Sequence, residues 1–191
     1  REAGVRITPK QLFQHQTIAE LARVAQLTSE APQIALGPET GPVPLTPIQR
    51  WFLEPLERGD EARVDRHWWN QAFLVEPSAE LSSQAIRWSF LAVVARHAAL
   101  RARFVREDNG WRQEIVEFDS EDSSLWREID LSDLPAEEAR AAMDAELLRL
   151  QSGFDLAVGP VVRGALLFLG WSERRLWFGA HHLVVDAVSW R

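Results

Sequence analysis

Hydrophobic positions recur at a helical period in two stretches of the chain. Residues 81–97 place apolar side chains three and four positions apart, which predicts a helix with one buried face. Residues 135–151 repeat this pattern, with Glu137 and Glu138 in the first turn and Gly153 at the end. Both features favour a helix, because acidic residues suit its N-terminus and glycine commonly terminates it. We therefore expect two amphipathic helices that pack on other elements.

Aromatic and β-branched residues mark the predicted strands. Asn109 and Gly110 form a dipeptide that favours a tight hairpin turn between two of them. Strands and helices alternate from about residue 45 onward, so we predict an α/β lobe in which helices pack on a mixed sheet. The predicted strands cover residues 67–75, 102–106, 111–117, 161–169 and 175–181.

Capping patterns in the N-terminal part of the chain predict two short helices there. Thr8 can cap the first, and Thr17 with Glu20 forms a capping-box pattern at the start of the second. A region rich in proline and glycine follows without periodicity, which indicates a linker. We expect three parts, covering residues 1–27, a linker over 28–44, and a main lobe over 45–191.

Composition narrows the classes of partner. A net charge of −7 and an isoelectric point near 5.3 argue against nucleic acid and anionic membranes. The chain has no cysteine, which excludes disulfides and thiolate metal sites and fits a reducing cytoplasm. No apolar run is long enough to span a bilayer, and no residues have the ligand spacing of a zinc site. We predict a cytoplasmic protein without a metal.

The last predicted strand ends in two adjacent histidines, His181 and His182, followed by Asp186, Ser189 and Trp190. Side chains alternate between the faces of a strand, so only one imidazole can point into a given cleft. Histidine can accept a proton near neutral pH, which makes one of the two a candidate base. Asp186 could serve either as a partner of that histidine or as one half of a buried salt bridge.

This string resembles the active-site motif of the condensation and epimerization domains of nonribosomal peptide synthetases. It reads His-His-x-x-x-Asp-x-x-Ser-Trp over residues 181–190. The string Pro-Ile-Gln-x-Trp-Phe over residues 47–52 resembles the opening motif of epimerization domains, in a predicted helix that would turn Trp51 and Phe52 inward. Residues 96–101 resemble the family's Arg-His-x-x-Leu-Arg motif, and residues 5–22 resemble the C-terminal part of a peptidyl carrier domain.

The resemblance implies a chloramphenicol-acetyltransferase-like fold, in which two lobes flank a tunnel. Residues 45–191 would be the N-terminal lobe, and a second lobe would close the tunnel and supply a glutamate that acts with the histidine. The chain would hold about half of the family's domain, and alone we expect it to lack activity. The implied reaction inverts Cα of an aminoacyl or peptidyl thioester, with carrier-bound phosphopantetheine as cofactor. The serine that holds phosphopantetheine would lie outside this chain.

The resemblance also implies a role for each motif residue. His182 would be the catalytic histidine and His181 structural, while Asp186 would form a salt bridge with either Arg96 or Arg101. Ser189 and Trp190 favour epimerization over condensation, and Ala187 stands where the family has glycine. The implied partners are a peptidyl carrier domain with its tethered substrate, the second lobe, and neighbouring synthetase modules.

Two alternatives to epimerization stay open at this point. A condensation domain would use His182 to help an amine attack a thioester, which forms a peptide bond between carrier-bound substrates. A degenerate lobe would only recruit partner proteins, an interpretation that Ala187 keeps open.

Overall fold

The computed structural model describes residues 5–27, 40–57, 68–108, 110–170 and 173–190. The chain divides into two compact units, residues 1–37 and residues 38–191. Among the described residues, no helix is both long enough and apolar enough to cross a membrane.

The first unit holds the two predicted helices, α1 (Pro9–Gln14) and α2 (Ile18–Val24). Both predicted caps are confirmed, because the Thr8 and Thr17 side chains each accept a hydrogen bond from the third helical residue in a complete capping box. The prediction of helix alone was incomplete. Two-residue strands, too short for a periodic signal, flank the helices and pair antiparallel: β1 (Val5–Arg6) and β2 (Gln26–Leu27).

The described part of the second unit contains two sheets and three α-helices. A three-stranded sheet has the order β3-β6-β5, and a four-stranded mixed sheet has the order β4-β9-β8-β7. A short 3-10 helix, Ala98–Arg101, leads from α4 into β5. The elements in chain order are β3 (Gly41–Val43), α3 (Pro47–Glu57), β4 (Asn70–Val75), α4 (Ser83–Arg96), β5 (Ala102–Glu107), β6 (Gly110–Ile115), β7 (Trp126–Asp130), α5 (Ala136–Ser152), β8 (Val162–Phe168) and β9 (Arg174–His181).

Helices α4 and α5 cover opposite faces of the four-stranded sheet. Consecutive residues of β8 point to opposite helices. Leu166 packs in a cluster with Ile86 of α4, and Leu167 packs in a cluster with Leu150 of α5. This arrangement confirms the predicted class, in which helices pack on a mixed sheet.

The predicted linker is too long at its C-terminal end. Residues 28–39 of that linker lie outside the described residues, but Gly41–Val43 forms β3 and pairs with β6. Pro42 lacks a backbone N–H, and it is tolerated there because β3 lies at the edge of its sheet. The main unit therefore begins before residue 45.

Strand β7 is absent from the sequence-based prediction. Its residues include three charged side chains in five, so it shows little strand character by composition. It forms because it lies beside β8 in the parallel direction, with Trp126 opposite Gly164. Trp126 and Ile129 are buried in this strand and supply its contribution to the core.

Helix α3 turns one of its two predicted aromatic residues into the core. Phe52 and its neighbour Leu53 are buried, in a cluster with Phe104 of β5. Trp51 is 65% exposed, so the prediction that it points inward is wrong. Successive residues lie about 100° apart around a helix, which separates Trp51 from the buried face.

Replacing Gly164 with alanine should destabilise the fold. A Cβ atom added at this position would lie 2.7 Å from Trp126 Cε3 and 3.1 Å from Phe90 Cδ2, and both rings are packed between sheet and helix. Such overpacking typically costs about 1–3 kcal/mol. Urea unfolding of the complete domain measures this cost. Gly170→Ala is the matched control, since nothing lies within 4 Å of its added Cβ; equal unfolding midpoints for the two variants would contradict this packing.

Candidate active site

His181 is a core residue. Its side chain is fully buried, and its ring meets Phe52 and Trp69 edge-on, with centroids 5.8 and 6.2 Å away. Its Nδ1 accepts a hydrogen bond from the backbone N–H of Leu183 at 3.2 Å, and its own backbone N–H donates to the Val161 carbonyl at 2.8 Å. The ring therefore joins the end of β9 to the turn that follows.

His182 is the first residue past the strand and is only partly buried. Its backbone N–H donates to the Trp69 carbonyl at 2.8 Å, so the contact with the chain ahead of β4 continues into the turn. The imidazole stacks on the Trp69 indole with centroids 4.7 Å apart, and Phe52 also stacks on this indole, at 4.2 Å. Aromatic stacking thus holds the plane of the His182 ring.

Both ring nitrogens of His182 have a partner. Nδ1 lies 2.9 Å from the Val185 carbonyl oxygen, and Nε2 lies 3.3 Å from the Gln71 amide nitrogen. The Gln71 amide oxygen in turn lies 2.7 Å from Trp190 Nε1. A connected set of polar groups therefore links residues of β4, the turn after β9 and the aromatic residue at the end of the motif.

Gln49 ties helix α3 to the turn that carries His182. Its amide oxygen accepts from the Thr46 backbone N–H at 2.8 Å, which caps the helix start. Its amide nitrogen donates to the Leu183 carbonyl oxygen at 3.1 Å in a buried contact. The Thr-x-x-Gln spacing in the sequence signals the cap, but not the second bond, which joins residues 134 positions apart.

Asp186 closes a tight turn with Ser189. Its Oδ1 accepts from the Ser189 hydroxyl at 2.8 Å and from the backbone N–H groups of Ser189 and Val188 at 2.8 and 3.0 Å. The Ser189 hydroxyl oxygen accepts from the Asp186 backbone N–H at 3.2 Å. The hydrogen bond from the Ser189 side chain, followed by those from the backbone, holds the pKa of the Asp186 carboxyl below its usual value.

The two candidate salt-bridge arginines lie in different surroundings. The Arg101 guanidinium is buried and donates to the carbonyl oxygens of Val94 and Val116 at 3.0 and 3.1 Å, while Arg96 is an exposed residue of α4. The Asp186 carboxylate is exposed and is held by its own turn. A salt bridge of Asp186 with either arginine stays a prediction.

An apolar groove of about 630 Å³ adjoins the motif. It lies between α4 and β9, and both Val185 and Trp190 take part in its wall. Trp190 also packs against Phe73 and Phe178, with centroids 5.0 and 5.7 Å away. The polar groups around His182 thus border on a mostly apolar surface. Further residues of the groove are Ile86, Phe90, Val94, Leu100 and Ala180.

A family model described as the condensation domain matches residues 39–191. The chain belongs to the condensation-domain family. Curated relatives agree across the entire chain. A linear gramicidin synthase of Brevibacillus parabrevis is 41% identical over 191 residues, covering 100% of this chain and 4% of that protein. The chondramide synthase of Chondromyces crocatus is 39% identical over 193 residues, covering 100% of this chain and 5% of that protein.

Solved structures agree with the family and its fold. The epimerization domain from the third module of tyrocidine synthetase B is 33% identical, with a TM-score of 0.64, covering 80% of this chain and 32% of that one. The starter condensation domain of rhizomide synthetase is 21% identical, with a TM-score of 0.58 and 78% of this chain covered, and supports the fold. The chain thus spans about a third of these structures and a few per cent of the curated synthases.

The motif residues His182, Asp186, Ser189 and Trp190 share one turn, and Gln71, which the sequence analysis did not single out, contacts His182 and Trp190. It reaches His182 because β4 pairs with β9, which sets Gln71 opposite Ala180. A glutamine in a strand otherwise rich in aromatic and aliphatic residues is the signal that could have identified it, since a polar group in such a strand needs a partner. Trp69, which stacks on His182, lies in the same segment.

Replacing Asp186 tests whether its carboxylate acts as a turn cap. Asparagine keeps an oxygen acceptor at this position, so Asp186→Asn should preserve the turn, whereas Asp186→Ala should open it. Amide hydrogen exchange of Val188 and Ser189 in the complete domain measures the opening. A salt bridge with arginine would instead make the asparagine variant exchange as fast as the alanine one.

Acid should weaken the same turn. The pKa of Asp186 is lowered in the folded chain, so the stability that its charge contributes is fully present above the usual pKa of an aspartate. That stability is lost as the pH falls through the lower pKa of the folded state. We expect the protection of the Val188 and Ser189 amides, measured relative to the intrinsic exchange rate at each pH, to fall below the usual pKa in the wild type and to stay constant over this range in Asp186→Asn.

Proposed function

We propose that the chain is the N-terminal lobe of an epimerization domain, preceded by the tail of a peptidyl carrier domain. The reaction is the L-to-D inversion at Cα of an aminoacyl or peptidyl thioester during nonribosomal peptide synthesis. The hydrogen-bonding of His182 supports its role as the base: Nδ1 faces a carbonyl oxygen, which leaves Nε2 as the basic atom. The observation that carries the choice of epimerization is the 33% identity with a solved epimerization domain, since a condensation domain would use the same nitrogen.

The chemistry requires a base at one face of Cα. The thioester carbonyl acidifies the Cα proton; when this proton moves to His182 Nε2, the electron pair of the C–H bond passes into an enolate. Return of a proton to the opposite face gives the inverted centre. A positioned base contributes roughly 10²–10⁴-fold, so stabilisation of the enolate oxygen must supply more of the acceleration.

The substrate arrives on a phosphopantetheine arm, which supplies the thioester sulfur and belongs to a carrier domain. We propose this carrier, the second lobe of the same domain and neighbouring synthetase modules as partners, in the cytoplasm. The second lobe would contribute the acid for the opposite face. His181 is assigned a structural role, because its ring is fully buried and its Nδ1 accepts from the backbone.

Condensation is the second candidate function, since the family model that matches the chain carries that name. In that reaction, Nε2 of His182 would accept a proton from the amine that attacks a thioester. The two reactions differ in the atom that loses its proton, which is carbon in one and nitrogen in the other. Isotope exchange at Cα therefore separates them.

We expect the complete domain to exchange the Cα proton of a loaded carrier for deuterium in heavy water without any acceptor substrate. His182→Ala should lower this rate by about 10²-fold or more, since it removes the base. Mass spectrometry of the released amino acid or peptide measures the exchange, and chiral analysis measures the inversion.

Two control variants test whether the loss is specific to His182. Trp88→Ala, a change at a 64%-exposed position of α4, should exchange at the wild-type rate. His181→Ala should lose activity only in proportion to its loss of stability. Peptide-bond formation on a supplied acceptor, with no Cα exchange, would replace epimerization by condensation. Wild-type exchange in His182→Ala would place the base elsewhere.

A further inference from the structure

We propose that Gln71 and Trp190 are positioning residues: Trp190 orients the Gln71 amide, and this amide selects the Nδ1–H tautomer of His182. The tautomer is a property of the folded domain. Only its catalytic consequence, that Nε2 takes the substrate proton, rests on the proposed function.

Trp190 decides which way the Gln71 amide points. An indole N–H is a donor only, so the atom 2.7 Å from Trp190 Nε1 must be the amide oxygen. The amide nitrogen then faces His182 Nε2. With the amide turned over, two donors would face each other at Trp190, and its hydrogen bond would be lost.

The Gln71 amide and the Val185 carbonyl favour the same tautomer from opposite sides of the ring. An amide nitrogen donates and does not accept, so His182 Nε2 must present its lone pair to Gln71. A carbonyl oxygen accepts and does not donate, so Nδ1 must carry the proton toward Val185. Each contact would be lost in the other neutral tautomer.

The lengths of the two contacts suit their different tasks. The bond from Nδ1 to Val185 is 2.9 Å, near the ideal for N–H···O, while the contact at Nε2 is 3.3 Å and is weaker. A substrate hydrogen can therefore replace the Gln71 amide at Nε2 with little loss, while the opposite nitrogen stays fixed. The amide orients the lone pair without sequestering it.

Packing holds the two positioning residues in place. Gln71 lies in β4 opposite Ala180 of β9, so its backbone is fixed by the sheet. The Trp190 ring packs against Phe73 and Phe178, one from each of these strands. The geometry of the polar chain therefore depends on an aromatic cluster as well as on hydrogen bonds.

Long-range proton–nitrogen correlation spectra of the complete domain, labelled with ¹⁵N-histidine, test the proposal. The wild type should show His182 with an unprotonated Nε2 and a protonated Nδ1. Gln71→Glu places an acceptor at Nε2 while the Val185 carbonyl still accepts from Nδ1, so Nε2 should become protonated as well. Trp190→Phe removes the indole donor, which frees the Gln71 amide to rotate and should give a mixture of tautomers. This substitution keeps an aromatic ring against Phe73 and Phe178. Gln84→Glu and Trp88→Phe, the same substitutions at exposed positions of α4, should leave the His182 signals unchanged.

Deuterium exchange at Cα gives the second readout. We expect Trp190→Phe to lower kcat by about tenfold, less than loss of the whole base, with little change in KM. An unchanged pattern of protonation on the two His182 nitrogens in both variants would overturn the proposal, even if activity fell. If the tautomers shift as expected but the wild-type domain shows no Cα exchange, the positioning role stands and the proposed function fails. The two inferences therefore fail separately.

Discussion

The antiparallel pairing of β4 with β9 is the contact on which the candidate site depends. Its register sets Asn70 opposite His181 and Gln71 opposite Ala180, and the Trp69 carbonyl extends it to His182. Side chains alternate along a strand, so a slip of one residue would turn the Gln71 amide to the other face of the sheet. Backbone pairing, more than any attraction between side chains, thus places the amide beside the imidazole.

The two histidines of the motif have divided roles because the chain turns between them. His181 ends β9 and is enclosed by core aromatic residues, whereas His182 begins the turn and keeps part of its ring accessible. Gln49 secures this turn from α3, and the Asp186–Ser189 pair secures the segment after it. The polar groups that contact the imidazole are therefore held by groups whose own positions are fixed, as a preorganised site requires.

Local signals in the sequence predicted much of the fold. The caps at Thr8 and Thr17, the helical periods of α4 and α5, and the strand composition of β8 and β9 each depend on neighbouring residues. Strand β7 escaped prediction because its burial comes from a parallel partner that lies far along the chain. The edge strand β3 was assigned to the linker for a similar reason. Proline at position 42 argues against a strand, and only the pairing with the distant β6 reveals one.

The candidate site likewise contains residues that local sequence signals identify and residues that only long-range pairing reveals. The motif drew attention to His182, and the Asp-x-x-Ser spacing contains a turn cap that local reasoning could have recognised. Gln71 could not be found this way, because its contact with His182 joins residues 111 positions apart. Sequence patterns therefore indicate the candidate group, while long-range pairing determines which residues contact its two nitrogens.

The position of β4 at the edge of its sheet has a consequence for synthesis of the chain. Gln71 and Trp190 are 119 residues apart, and at 5–20 residues per second the ribosome needs roughly 6–24 s to travel from one to the other. During that interval β4 has no β9 to pair with. Its apolar side chains are also poorly covered, because Phe73, Leu74 and Val75 are more than 40% exposed even in the finished sheet. An apolar strand with an unpaired edge is a template for aggregation. The nascent chain thus has an aggregation-prone edge at β4 until the residues of β9 have been translated.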